Sequence, residues 1–137
     1  MNNYTSGSLY SVSNPMDTPT YDTLKTKYAH LFGKTYCNIE LDDESHNGWK
    51  PIIQTLLEKL DKLKQDGKKV KITCIKEKYG YVRIQGYTAG HEGQPYVKFA
   101  EDLSERICAI CGKPGTNRKG RDGWWLVCCD EHVVNRY

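Results

Sequence analysis

The stretch from Val70 to Tyr87, VKITCIKEKYGYVRIQGY, decides the fold class of this chain. Its alternation sets Val70, Ile72 and Cys74 on one face and Lys71, Thr73 and Ile75 on the other, while Val82 and Ile84 alternate with Tyr81, Arg83 and Gln85. A period of two marks half-buried strands. Lys78, Tyr79 and Gly80 stand between the two runs, so the segment is predicted to be a β-hairpin that turns there.

Upstream the period becomes helical. Trp49, Ile52, Ile53, Leu56, Leu57, Leu60 and Leu63 predict an amphipathic helix with Pro51 in its first turn, Asn47 as cap and Gly67 as stop. Lysines fall in its last turns, where the helix dipole favours them. Tyr21, Leu24, Tyr28 and Leu31 predict a shorter helix ending near Gly33. Residues 1–19, rich in Asn, Ser, Thr and Pro, read as a flexible arm, or as one ordered by a partner subunit through Tyr4, Tyr10 and Tyr21. Downstream, TAGHEGQP reads as a loop, and Tyr96, Phe99, Ala100, Leu103 and Ile107 step helically into a pair of cysteines.

That order predicts an α+β protein, a small antiparallel β-hairpin or sheet packed with two or three helices, plus a C-terminal Cys3His zinc knuckle. The expected organisation is an arm over 1–19, a core over 20–107 and a knuckle over 108–137 packed on that core. A chain of 137 residues suits one modest core with a metal-stapled appendage.

The knuckle is read from spacing. Cys108 and Cys111 enclose two residues, Gly112 permits a tight turn, and Cys129 and His132 repeat the gap after 17 residues. The pattern predicts one structural zinc ion with four protein ligands and no open position for chemistry. Cys128 is the rival third ligand; by alternation with Leu126 it reads instead as a small buried hydrophobe. The plain alternative for all four is buried cysteines with a surface histidine. His30, His46 and His91 have no second ligand at metal spacing and read as loop or surface residues.

Net charge is +3, with 20 basic and 17 acidic residues, too balanced to identify a nucleic-acid binder. Its distribution says more: eight basic residues stand against two acids between Lys62 and Arg83, four against none between Lys113 and Arg121, and Glu40, Asp42, Asp43 and Glu44 form an acidic run. Lys76, Lys78, Tyr79, Tyr81 and Arg83 combine phosphate-binding cations with stacking rings. Arg118 and Arg121, ahead of Trp124 and Trp125, form a second basic and aromatic cluster. If the knuckle folds back, both clusters line one anionic-ligand groove. The plain alternative is a solvated lysine face with aromatics in the core, and one of Trp124 and Trp125 is expected there. Glu77 reads as a charge neighbour within its strand.

The start, MNNYTSGSLYSVSNP, lacks the features of a secretory signal, and no apolar run approaches the roughly 18 residues of a membrane helix. A soluble protein of a reducing, intracellular compartment is expected.

With NGWKPIIQTLL, IKEKYGYVRI, KFAEDLSERICAICGKPG and GWWLVCCDEH on view, the chain resembles, over roughly residues 28–135, a family of small zinc-knuckle proteins common in phage genomes. The family's Lys-Glu-Lys-aromatic-Gly motif matches Lys76 to Gly80, its following Arg matches Arg83, and its last ligand pair matches Cys129 and His132, with Cys128 on an apolar position. The resemblance implies work in the cytoplasm of an infected bacterial host, where small phage proteins bind a host defence protein or sequester its nucleotide signal. It implies nothing for residues 1–19.

Three non-enzymatic functions are thus open. The first is a module that binds an anionic nucleotide through Lys76, Lys78, Tyr79, Tyr81, Arg83, Arg118 and Arg121. The second is a DNA- or RNA-binding protein using the same residues. The third is an inhibitor of a host defence protein acting through the tyrosine-rich arm and the acidic run. An HNH-type nuclease ranks last, since His132 is committed to metal. A free hairpin edge and the aromatic arm make a homodimer compatible with each.

Overall fold

The computed structural model describes residues 14–33 and 38–134, Val134 by its backbone alone. Among the described residues there are four α-helices, α1 (Tyr21–Lys27), α2 (Lys50–Gln65), α3 (Gly90–Ser104) and α4 (Asp130–Val134), and five strands, β1 (Ile39–Glu40), β2 (Cys74–Lys78), β3 (Tyr81–Gln85), β4 (Thr116–Lys119) and β5 (Trp125–Cys128). The class is α+β, as expected, with the Cys3His cluster at its C-terminal end.

Thr20 caps α1 by accepting the Thr23 amide, and the helix buries Tyr21 and Leu24. The chain then unwinds at Tyr28 into a 3-10 turn over Ala29–Leu31, which buries Leu31. Of the arm expected over residues 1–19, residues 1–13 lie outside the described residues, and Pro15–Asp17 form a 3-10 turn. Tyr21 is no anchor for a partner: it is 1% exposed, inside the core.

Helix α2 follows the apolar period, burying Ile52, Ile53, Leu56, Leu57 and Leu60. Its start differs from expectation. A 3-10 turn over Asn47–Trp49 leads into it, the Asn47 carbonyl takes the Lys50 amide, and the Asn47 side chain is free to donate to the Ile110 carbonyl of the knuckle at 3.4 Å. Asn47 therefore does not cap α2 with its side chain. Helix α3 begins at Gly90, inside the segment read as a loop, and carries Pro95. Packing overrides local propensity here: a Cβ on Gly93 would meet Leu60 at 3.3 Å and Leu63 at 3.4 Å, so the missing side chain lets α3 lie close on α2.

Strands β2 and β3 form the expected antiparallel hairpin. Tyr79 (φ +57°) and Gly80 (φ +100°) are both left-handed, the signature of a type I′ turn, and the Glu77 carboxylate accepts the Gly80 amide at 2.8 Å. The sheet is mixed rather than purely antiparallel, because β1 adds parallel to β2, with Ile39 opposite Ile75 and Glu40 opposite Lys76. Alternation also breaks: Cys74 and Ile75 are both buried, since the chain bends at Thr73, whose hydroxyl bonds the carbonyl of left-handed Gly86.

The outer edge of β3 is closed. Its outward amides, Val82 and Ile84, donate to Ser104 Oγ and Glu101 Oε2 of α3, each at 2.9 Å. The free hairpin edge expected as a dimer contact is occupied within the chain. One continuous core joins α1, α2, α3 and the inner sheet face to Ala109 and Val127 of the knuckle. Among the described residues no helix is long and apolar enough to cross a membrane.

Candidate metal centre

The first ligand pair is delivered by a tight turn. Cys108 N donates to the Lys113 carbonyl at 2.7 Å, Gly112 N to the Cys108 carbonyl at 2.9 Å, and Gly112 takes φ +85°. Lys113 N points at Cys111 Sγ, 3.5 Å away. The β4–β5 hairpin then returns the chain, pairing Thr116 with Cys128 and Lys119 with Trp125. Cys129 precedes α4 and His132 lies within it, three residues on, so both face one side.

The four side chains converge. Cys111 Sγ lies 3.7 Å from Cys129 Sγ, His132 Nδ1 lies 3.3 Å from Cys129 Sγ and 3.7 Å from Cys108 Sγ, and all four ligand atoms fall within 4.8 Å of one another. They are close enough to hold one metal ion. The set is the one expected, with Cys129 as third sulfur ligand. Cys128 is fully buried behind it, and its thiol bonds Cys108.

Electrostatics give the cluster a reason to hold a cation. The hydrogen bond from Cys128, with further bonds from the Cys129, Cys111 and Ile110 amides, outweighs burial and lowers the Cys108 thiol to about 3. Burial first, then the adjacent Cys108 thiolate, pushes Cys111 up to about 12. Sulfurs this close cannot all be anionic without positive charge between them.

What fixes the knuckle to the core was not read from the sequence. A Cβ on Gly48 would lie 2.1 Å from the Cys108 carbonyl and 2.3 Å from Gly112 N, and Gly48 N donates to Ala109 O at 2.6 Å. Beside it, buried Trp49 Nε1 donates to Ile107 O at 3.0 Å. The only local trace is an Asn-Gly pair at a helix entrance, which ordinarily signals a turn.

The basic residues are divided. Lys76 faces Arg83 and Lys78 faces Tyr81 on one side of the hairpin, with Tyr79 at its tip 68% exposed. Arg83 lies 5.6 Å from the Tyr81 ring centroid, bonds its hydroxyl at 3.1 Å and has Glu101 at 3.9 Å. Arg118 is turned elsewhere, against Asp130 at 2.6 Å and Thr116 at 3.0 Å. Arg121 is exposed beyond β4. Among the described residues the hydrogen bonds from knuckle to hairpin are at the hairpin tip, where Asn117 Nδ2 bonds Tyr79 O and Val127 N bonds Gly80 O, and these contacts do not build a groove between the two basic clusters.

Neither Trp124 nor Trp125 is in the core, contrary to expectation; they are 73% and 49% exposed. Val127 and the cysteines, flanked by Ile110, Leu126 and Val133, fill the knuckle instead. Of the other histidines, His30 bonds Asp61, His46 stacks on Trp49 and His91 is exposed at the start of α3. Compared with known proteins, the chain matches no family model, no curated protein and no solved structure.

Proposed function

We propose that the Cys3His cluster holds one zinc ion as a closed staple, and that the protein is a non-catalytic module binding a nucleotide-class anion on the outer face of the β2–β3 hairpin. Four ligands at about 2.0–2.3 Å around tetrahedral zinc imply edges of about 3.5–3.8 Å, close to the separations found here, and three thiolates with an imidazole suit zinc better than magnesium or calcium. Less than one zinc per chain in freshly purified protein would refute this half.

The observation that carries the other half is Tyr79. It occupies a left-handed position that glycine or asparagine fills at less cost, yet its ring stands 68% exposed with Lys78 Nζ 5.5 Å from its centroid. A strained, exposed aromatic beside a lysine has the chemistry to stack on a base while cations hold phosphate. Lys76 and Lys78 supply the phosphate contacts; Glu101 already balances Arg83, which orients Tyr81. The resemblance to phage proteins makes a host signalling nucleotide the natural ligand, bound in the cytoplasm of the infected cell to blunt a defence response.

The test is mass spectrometry of small molecules released by heating the zinc-loaded protein after incubation in bacterial extract, followed by titration of what is found. Lys76→Ala with Lys78→Ala is expected to weaken binding about a hundredfold, roughly tenfold per phosphate contact, with the thermal midpoint nearly unchanged. Unchanged affinity would refute the site.

A second reading, binding of DNA or RNA, is favoured by a separate recess of about 470 Å³ lined by Lys64, Lys68, Lys69 and Lys71. Two basic surfaces suit a long polyanion. Affinity that grows with strand length and falls steeply with salt would select it over a small nucleotide.

A further inference from the structure

The basic recess of about 470 Å³ lies where the chain leaves α2 and where it turns into α3. Lys64, Lys68, Lys69 and Lys71 line it together with Val70 and Thr88. The four lysines are exposed at its rim, and Val70 is buried. No acidic side chain and no aromatic ring is among the lining residues described.

The dipole of α2 accounts for only part of this charge. It favours Lys62 and Lys64 in the last turn, and Lys68 closes the helix end, its amide donating to the Leu63 carbonyl at 3.0 Å past left-handed Gly67. Lys69 and Lys71 lie beyond the reach of that dipole. Two backbone bonds with Thr88, of 2.9 and 2.8 Å, fix Lys71 across the recess. Nor does the chain neutralise the group from within. Glu92 meets Lys68 at 3.0 Å, and the His30 carbonyl, which is uncharged, accepts from Lys64 Nζ at 2.9 Å. Lys69 and Lys71 have no ion-pair partner among the described residues. All 17 acidic side chains of the sequence are among those residues, so no other carboxylate side chain is left to supply one. Four ammonium groups thus share one recess with one acidic partner, and like charges gathered in a concavity concentrate anions there.

We propose that this recess binds a compact anion with adjacent phosphoryl groups, as in inorganic polyphosphate or the phosphate tail of a nucleotide. Lysines are point charges on flexible stems, which suits them to follow phosphate oxygens of varied geometry. With no ring in the lining there is nothing to stack on a base, so the recess reads charge alone. Its volume is that of a small-ligand site and exceeds what a single phosphoryl group fills. The site shares no residue with the outer face of the β2–β3 hairpin and stands independently of the nucleotide reading.

The test titrates the intact, metal-loaded chain with inorganic tripolyphosphate by calorimetry at physiological salt, with metal content read after each run. Saturable binding is expected, weakened about tenfold by Lys69→Ala and about tenfold again when Lys71→Ala is added, with the thermal midpoint as in the unaltered chain. Lys98→Ala, which removes an exposed lysine of α3, is expected to bind as the unaltered chain does. Affinity within twofold for the double variant, or an equal loss for Lys98→Ala, would overturn the site. Toward a nucleoside triphosphate, an equal loss in the double variant assigns the recess to a nucleotide's tail, and no loss assigns it to free polyphosphate. Orthophosphate binding as tightly as tripolyphosphate would overturn the need for adjacent phosphoryl groups. Single-stranded DNA that displaces tripolyphosphate at equal phosphate concentration would overturn the compact anion and hand the recess to nucleic acid.

Discussion

Gly48 is where one missing methyl group decides whether the knuckle can sit on the core. The atoms a Cβ would strike at 2.1 and 2.3 Å belong to the backbone that forms the Cys108–Gly112 turn, so they cannot swing aside as a side chain would. Gly48→Ala is expected to cost about 3 kcal/mol or more and to weaken metal retention, checked by denaturant unfolding and metal analysis of one preparation. Tyr21 offers a test by pH. Burial first, then Asp43 and Asp42, raises its phenol well above the usual value, and its hydroxyl donates to the His46 carbonyl. Because the folded pKa is raised, the stabilisation is complete below the unfolded value of about 10 and is lost as pH rises beyond it. Tyr21→Phe is expected to cost about 1 kcal/mol at neutral pH and to flatten the alkaline decline, measured by urea titrations between pH 8 and about 11.

Among the elements, the β2–β3 turn trades stability for an exposed ring. Tyr79→Asn would give the Asn-Gly pair that type I′ turns prefer, and is expected to raise stability by about 0.5–1 kcal/mol while weakening nucleotide binding. A stability gain with binding intact would deprive Tyr79 of its stacking role. This hairpin, α2 and the short helix at Tyr21 were legible because their burial repeats at the period of their own backbone. The start of α3 was not, since Gly90, Gly93 and Pro95 spell a loop locally and the helix exists through close packing of Gly93 on Leu60 and Leu63. Strand β1 is two residues long and borrows its geometry from β2, so no local pattern announces it. The inward turn of Ile75 depends on the bend at Thr73, again a tertiary contact.

Over the whole molecule, the cysteine spacing located the candidate metal site because ligand geometry is local within each pair. It left out how that site is joined to everything else. Ala109 and Val127 belong to the main core, Val127 N reaches the Gly80 carbonyl, and Trp49 reaches Ile107, so the knuckle completes the core rather than hanging from it. Removing the metal should therefore be felt far from the cysteines. Structural zinc contributes about 10–16 kcal/mol in small peptides, as large as the roughly 5–15 kcal/mol by which whole domains are stable. In a Trp124→Phe, Trp125→Phe background, where Trp49 is the remaining tryptophan, chelation at neutral pH is expected to shift emission to longer wavelength as the bond to Ile107 opens and water reaches the ring. The holo form is expected to melt in one transition followed identically by Trp49 emission and by metal release. A knuckle that lost its metal while Trp49 emission stayed unchanged would instead be an appendage, and the contacts through Gly48, Trp49 and Val127 would carry no coupling.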